Sequence, residues 1–220
     1  MSPLMTRFLA YFACLLPISL APAAAQATPV VVELFASQNC AACPKAHRTL
    51  GRVSQEDLDV LVLTWSVDYW DYLGAPDPMA MPEAKARQAD YADNLELRAP
   101  YTPQSVYDGV KQCPATNRGR VKRNISDRRN TRPDSLPQLT RTDTGVQIAE
   151  AASTSLELHI VEYLSAEANT TDMVNPVIST RLVTDWTDSN GVVDVSCTYS
   201  CAAMLQEAGH GEILATLVLD

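Results

Sequence analysis

The chain has 220 residues and a formal net charge of −9 at neutral pH, which argues against nucleic acid as a partner. Hydrophobic residues make up 46% of it, enough for a sizeable core. The length suits one domain with an elaboration, or two small ones.

Residues 1–27 have the three-part layout of a secretory signal peptide. Arg7 is the only charged side chain before Glu33. Phe8 to Leu20 is an apolar stretch broken by Pro17, short for a membrane span of roughly 20 residues. Ala21 to Ala27 supplies small residues in Ala-x-Ala spacing, so cleavage after Ala25 or Ala27 fits. Bulky Tyr11 and the early position of Cys14 argue against a lipoprotein cysteine. The mature chain is therefore expected in the periplasm or outside the cell. No later segment is apolar enough for stable membrane insertion. Disulfides persist in that setting. Five cysteines remain (Cys40, Cys43, Cys113, Cys197, Cys201), an odd number that cannot pair completely within one chain.

Thr28 to Ser37 is a nearly continuous apolar run, as in strands buried on both faces. Cys43-Pro44 opens a helix, because proline is tolerated in a first helical turn. His47, Leu50 and Val53 follow at helical spacing. Leu58 to Val67 is a second buried strand, making a βαβ unit with a parallel pair. The loop DYWDYLGAPDPMAMP carries three aromatics and precedes a helix over Pro82 to Leu95. Gln104 to Tyr107 reads as a short strand ending in the turn Asp108-Gly109. Residues 111–132 hold eight basic side chains and one acid, Asp127, and read as a solvated helix or loop, with an acidic partner as the alternative. From about residue 138 the pattern alternates. LELHIVEYL, PVISTRLVTDW and EILATLVLD read as strands, with turns at Asn190-Gly191 and Gly209–Gly211. The boundaries are 28–137 for an α/β domain and 138–220 for a mostly β addition.

Cys40-Ala41-Ala42-Cys43 follows the first strand and opens the first helix. Unpaired N–H groups and the positive end of the helix dipole favour a thiolate there. Cys40 is the expected attacking thiol, more exposed and with a lowered pKa. Cys43 is the expected resolving thiol, close enough to close a disulfide with it. Thr102-Pro103 opens the strand before Asp108-Gly109. A strand, CxxCP, helix, strand, helix and Thr-Pro-strand in this order resembles thioredoxin-like redox proteins, where such a proline, usually cis, borders the cysteines.

The stretches VVELFASQNCAACPKAHRTLGRV, VDYWDYLG with ARQADYA, and YTPQSVYDG resemble the DUF1223 family of secreted, thioredoxin-like bacterial proteins. CAAMLQEAGHGEIL is a weaker match. The resemblance implies a thioredoxin-like domain with an appended β part. The chain departs from the usual family pattern at Asn39, at His47 and at Ser66.

The leading functional expectation is an exported thiol–disulfide oxidoreductase acting on protein thiols or disulfides. Its cysteines carry the electrons, so no cofactor is required. Asp68, Tyr69, Trp70, Thr102 and Pro103 are the expected substrate groove, since ligands of open α/β sheets bind beyond the strands' carboxyl ends. His47, four residues after Cys43, either modulates the thiolate or is an ordinary exposed helix residue. Two alternatives stand beside this reading: Cu or Zn handling by Cys40, Cys43 and His47, and a non-catalytic binding module whose CxxC is a staple. Cys197 and Cys201 would lie about 13 Å apart in an extended strand. A Cys113–Cys201 disulfide is therefore favoured, unless a local turn through Thr198–Ser200 joins Cys197 to Cys201.

Overall fold

The computed structural model describes residues 28–133, 136–149, 155–183 and 191–219. The expected signal peptide and Asn190 lie outside them. Among the described residues, three helices and three sheets form a mixed α/β structure.

Strand β1 (Val30–Ala36) is buried at every position and pairs in parallel with β2 (Val60–Ser66), from Val30 opposite Val60 to Ala36 opposite Ser66. Helix α1 (Cys43–Glu56) makes the crossover and buries Cys43, Ala46, Leu50 and Val53. Helix α2 (Pro82–Asn94) follows, with proline in its first turn. Strand β3 (Gln104–Tyr107) lies antiparallel to β1 on its other side, and β4 (Lys111–Cys113) forms the edge. The first sheet thus runs β2-β1-β3-β4. Helix α3 (Arg118–Thr131) closes this part, its start capped by Asn117, which accepts from the Arg120 N–H at 3.0 Å.

Alternation along β1 gives the sheet two apolar faces. Val30, Val32 and Leu34 pack with Leu50 and Val53 of α1 and Val121 and Ile125 of α3. Val31 and Phe35 pack the other way, with Leu63, Trp65 and Tyr91. That second face also meets another sheet, built from β7 (Leu156–Tyr163), β8 (Val177–Val183), β10 (Ser200–Glu207) and β11 (Ile213–Val218), ordered β11-β10-β7-β8. Val161, Tyr163, Ala202 and Met204 share the cluster of Phe35 and Trp65. A third sheet, β5 (Gln138–Arg141), β6 (Gly145–Ala149) and β9 (Val192–Asp194), covers the opposite face of the second through Val146 and Ile148, against Leu158, Ile160, Ala203 and Leu205. The middle sheet is therefore covered on both sides. This is why β7 is buried at most positions although LELHIVEYL alternates in sequence.

The Asp108-Gly109 turn joins β3 to β4, with φ of 44° and 78°. A Cβ on Gly109 would lie 2.1 Å from the Gly211 carbonyl oxygen, so only glycine fits.

The basic stretch departs from expectation. Arg128 and Arg132 are not solvated: both reach the buried Asp108 carboxylate, Arg128 through Nε at 3.3 Å and Arg132 through Nη2 at 3.0 Å. The remaining cations fit the solvated reading better, as in the exposed pairs Arg118–Glu56 and Lys111–Asp127.

Candidate functional site

Beyond the carboxyl end of β1, the chain turns at Ser37–Asn39 into the Cys40–Cys43 disulfide. Cys43 N–H bonds to the Cys40 carbonyl at 3.0 Å. The start of α1 has no side-chain cap and no acidic residue in its first turn. Its positive end therefore meets the sulfurs without a competing carboxylate on the helix, and it favours the thiolate form.

Cys40 is the less buried member of the pair, as expected, but neither sulfur-bearing side chain is exposed. Cys40 is 6% exposed and Cys43 is 1% exposed, and both belong to the cluster beneath α1 and α3. Ala41 and Ala42 between them face solvent. The cover comes from the loop after β2. Trp70 packs against the same cluster. Its indole N–H donates to Thr102 Oγ1 at 2.7 Å, linking the loop to the segment before β3. The Thr102–Pro103 peptide bond is cis. The register sets Gln104 opposite Phe35, so Pro103 comes beside the end of β1 that leads to the cysteines.

Trp70, Thr102 and Pro103 thus gather at one end of the sheet. Asp68 turns toward α2, whereas Tyr69 bridges α2 and that group, its ring 5.9 Å from that of Trp70 and its hydroxyl also bonded to Thr102. Asp68 pairs with Lys85 at 3.5 Å, and Tyr69 donates to Gln88 Oε1 at 3.2 Å.

The loop is strapped to the cysteine turn by groups that sequence reasoning missed. Buried Asp77 accepts from the Gln38 N–H at 2.8 Å and the Met79 N–H at 3.0 Å. Asn39 donates to the Ala75 carbonyl at 2.9 Å. The Pro-Asp-Pro run around Asp77 was the signal available for this turn.

On the outer side of α1 a cavity of about 600 Å³ is lined by Gln38, Pro44, His47, Asp77, Met79 and Met173, among others. His47 is half-buried there, and its Nδ1 is enclosed without a partner among the described residues. Burial lowers its pKa to about 4, against the opposing pull of Asp172 and Asp77. The imidazole is neutral at pH 7, so it supplies no positive charge to a thiolate. Among the described residues, no group of three or more His, Cys, Asp or Glu side chains is arranged to hold a metal ion. No described helix is long and apolar enough to cross a membrane.

The Cys113–Cys201 pairing is corrected. Cys201 bonds to Cys197, with their Cα atoms 6.4 Å apart. The chain bends between them because Glu162 accepts the N–H groups of Thr198 at 2.6 Å and Tyr199 at 2.7 Å. Cys113 is free and buried on the α1–α3 side of the first sheet, its sulfur 3.3 Å from Tyr107 Oη. Cys201 lies on β10, in the sheet packed on the opposite face.

The chain resembles two solved structures. A protein from Agrobacterium tumefaciens, AGR_C_4864, is 27% identical over 89% of this chain and 96% of that one, with a TM-score of 0.72. HBP35 of Porphyromonas gingivalis is 11% identical over 87% of this chain and 74% of that one, with a TM-score of 0.52, a likeness of fold alone. No curated protein matches. Residues 31–188 match the family described as "Protein of unknown function (DUF1223)", and the chain belongs to that family.

Proposed function

We propose that the protein is an exported, thioredoxin-like thiol–disulfide oxidoreductase working in the periplasm or outside the cell. The observation that carries this is the Cys40–Cys43 disulfide at an uncapped helix start, directly after a buried central strand. The order β2-β1-β3-β4, the β1-α1-β2 crossover and a cis proline ahead of β3 support the thioredoxin-like comparison. As an oxidant, the protein meets a substrate thiolate that attacks Cys40 Sγ. The Cys40–Cys43 bond breaks and Cys43 leaves as a thiolate. A second substrate thiol, deprotonated, then attacks the substrate sulfur of the mixed disulfide. The substrate leaves as a disulfide, and the protein keeps two electrons as a dithiol. As a reductant, the same steps run backward, with Cys43 resolving the mixed disulfide. Trp70, Thr102 and Pro103 border the approach to Cys40.

One observation favours a second reading, a binding module with a structural CxxC: both sulfurs are buried. Equilibration in graded glutathione buffers, read by alkylation and intact mass with Cys40→Ser and Cys43→Ser alongside, separates the two. A potential between about −270 and −120 mV supports the oxidoreductase, whereas one below about −300 mV marks a structural disulfide.

A further inference from the structure

A second cavity, of about 420 Å³, opens between α2 and the second sheet, away from the cysteines. Trp65, Arg87, Asp90, Glu157, His159 and His210 line it. His159 comes from β7 and His210 from the turn between β10 and β11, and their ring centroids are 5.5 Å apart. Each ring is held by a carboxylate: His210 Nδ1 lies 2.7 Å from Asp90 Oδ2, and His159 Nε2 lies 3.2 Å from Glu157 Oε2. Burial, reinforced by Arg87, lowers the pKa of both, that of His159 to about 3. A neutral imidazole has one N–H and one lone pair. The hydrogen-bonding pattern assigns each N–H to the nitrogen facing its carboxylate. The lone pairs then sit on His159 Nδ1 and His210 Nε2, which have no hydrogen-bond partner among the described residues.

A histidine that donates one ring N–H to a carboxylate while its other nitrogen stays open has the outer-shell arrangement of a metal ligand. Two imidazoles bound to one ion at about 2.0–2.1 Å, at near-tetrahedral angles, set their ring centres roughly 5–5.5 Å apart. We propose that this cavity binds one divalent transition-metal ion, of the zinc or copper class, through His159 Nδ1 and His210 Nε2. Arg87 does not forbid it, because Glu33 pairs with its guanidinium at 2.6 and 3.0 Å. Asp90, Glu157 and Glu83, which also lines the cavity, add negative charge at the rim. The histidines supply two ligands, and water or a small guest in the cavity completes the coordination, so the site is open rather than structural.

The test uses the chain carrying Cys40→Ser and Cys43→Ser, which removes the sulfur ligands of the other site. Cu(II) and Zn(II) are titrated separately at neutral pH by calorimetry, and the Cu(II) form is examined by electron paramagnetic resonance. One equivalent bound, with hyperfine splitting from two nitrogens, is the expected result. His159→Gln and His210→Asn should each weaken binding at least tenfold. Asp90→Asn should weaken it about 10–100-fold through the lost outer-shell partner. His210 has φ of 59°, which asparagine tolerates, so His210→Asn keeps the fold and carries the test even if His159→Gln does not fold. No stoichiometric binding, or binding unchanged in His210→Asn, overturns the proposal.

Discussion

Trp70 is half-buried against the cluster that holds the sulfurs of Cys40 and Cys43, and one hydrogen bond ties it to Thr102. Truncating it should open Cys40. In Trp70→Ala, alkylation of Cys40 in the reduced protein is expected to run several-fold faster. Trp70→Phe keeps most of the cover and should cost only about 1 kcal/mol for the lost hydrogen bond. Equal alkylation rates in wild type and Trp70→Ala would mean that other groups shield the sulfur. His47 sets a pH dependence instead. Its folded pKa, about 4, lies below its ordinary 6.5. Between those values the unfolded chain binds more protons, so stability rises with pH through this window and is lost toward pH 4. By pH 4.5 the loss from this one group is about 2–3 kcal/mol. Denaturant melts at pH 7 and pH 4.5 should show His47→Gln flattening the acid limb. A limb as steep as in wild type would assign it to other groups.

Helix α3 mixes arginines of very different worth. Asp108 is buried and also accepts the Val31 N–H at 2.8 Å, so its ion pairs with Arg128 and Arg132 fasten α3 to the start of β1. Asp108→Asn keeps the shape and tolerates the positive φ, yet it strips Arg132 of its carboxylate and leaves Arg128 with Glu212 alone. Breaking such a buried pair costs about 3–5 kcal/mol. Arg129 pairs with Asp57 at 2.7 and 2.9 Å on the surface, and Arg129→Ala should cost no more than about 1 kcal/mol. Urea midpoints for the two variants check the contrast, and similar losses would refute it. Composition cannot distinguish these arginines, but spacing carried a signal: Val121, Ile125 and Arg128 fall on one buried helical face. Elements with a strong local signature were legible. The apolar runs of β1 and β2, the prolines opening α1 and α2, and the Asp108-Gly109 turn all lie where local chemistry puts them. Strands β5, β6 and β9 were not legible, because each is short and β9 pairs with a partner distant in the chain.

Relations between distant elements are the least visible in sequence, and here they decide the whole molecule. His159 and His210 show no spacing relation, and the antiparallel pairing of β7 with β10 brings them together, with α2 adding Asp90. Glu33 looks like a misplaced charge in an apolar strand. In the fold it is fully buried and accepts from Arg87 of α2 and from the Tyr91 hydroxyl. Gln206 of β10 closes the network, accepting from Arg87 at 2.8 Å and donating to Tyr91 at 2.9 Å. Burial and the charge of Arg87's partner explain why Tyr91 stays protonated, its pKa raised well above the phenolic norm. The network spans the first sheet, α2 and the second sheet, inside the one cluster they share. The two parts separated near residue 137 by sequence pattern should therefore unfold together. Glu33→Gln leaves the Arg87 charge uncompensated and should cost about 3–5 kcal/mol, whereas the double variant Glu33→Gln/Arg87→Met should recover much of that loss. Tryptophan fluorescence and far-ultraviolet circular dichroism should give coincident urea transitions, both shifted equally by Glu33→Gln. Two separate transitions, with only one moved by the substitution, would instead show that the C-terminal sheets fold on their own.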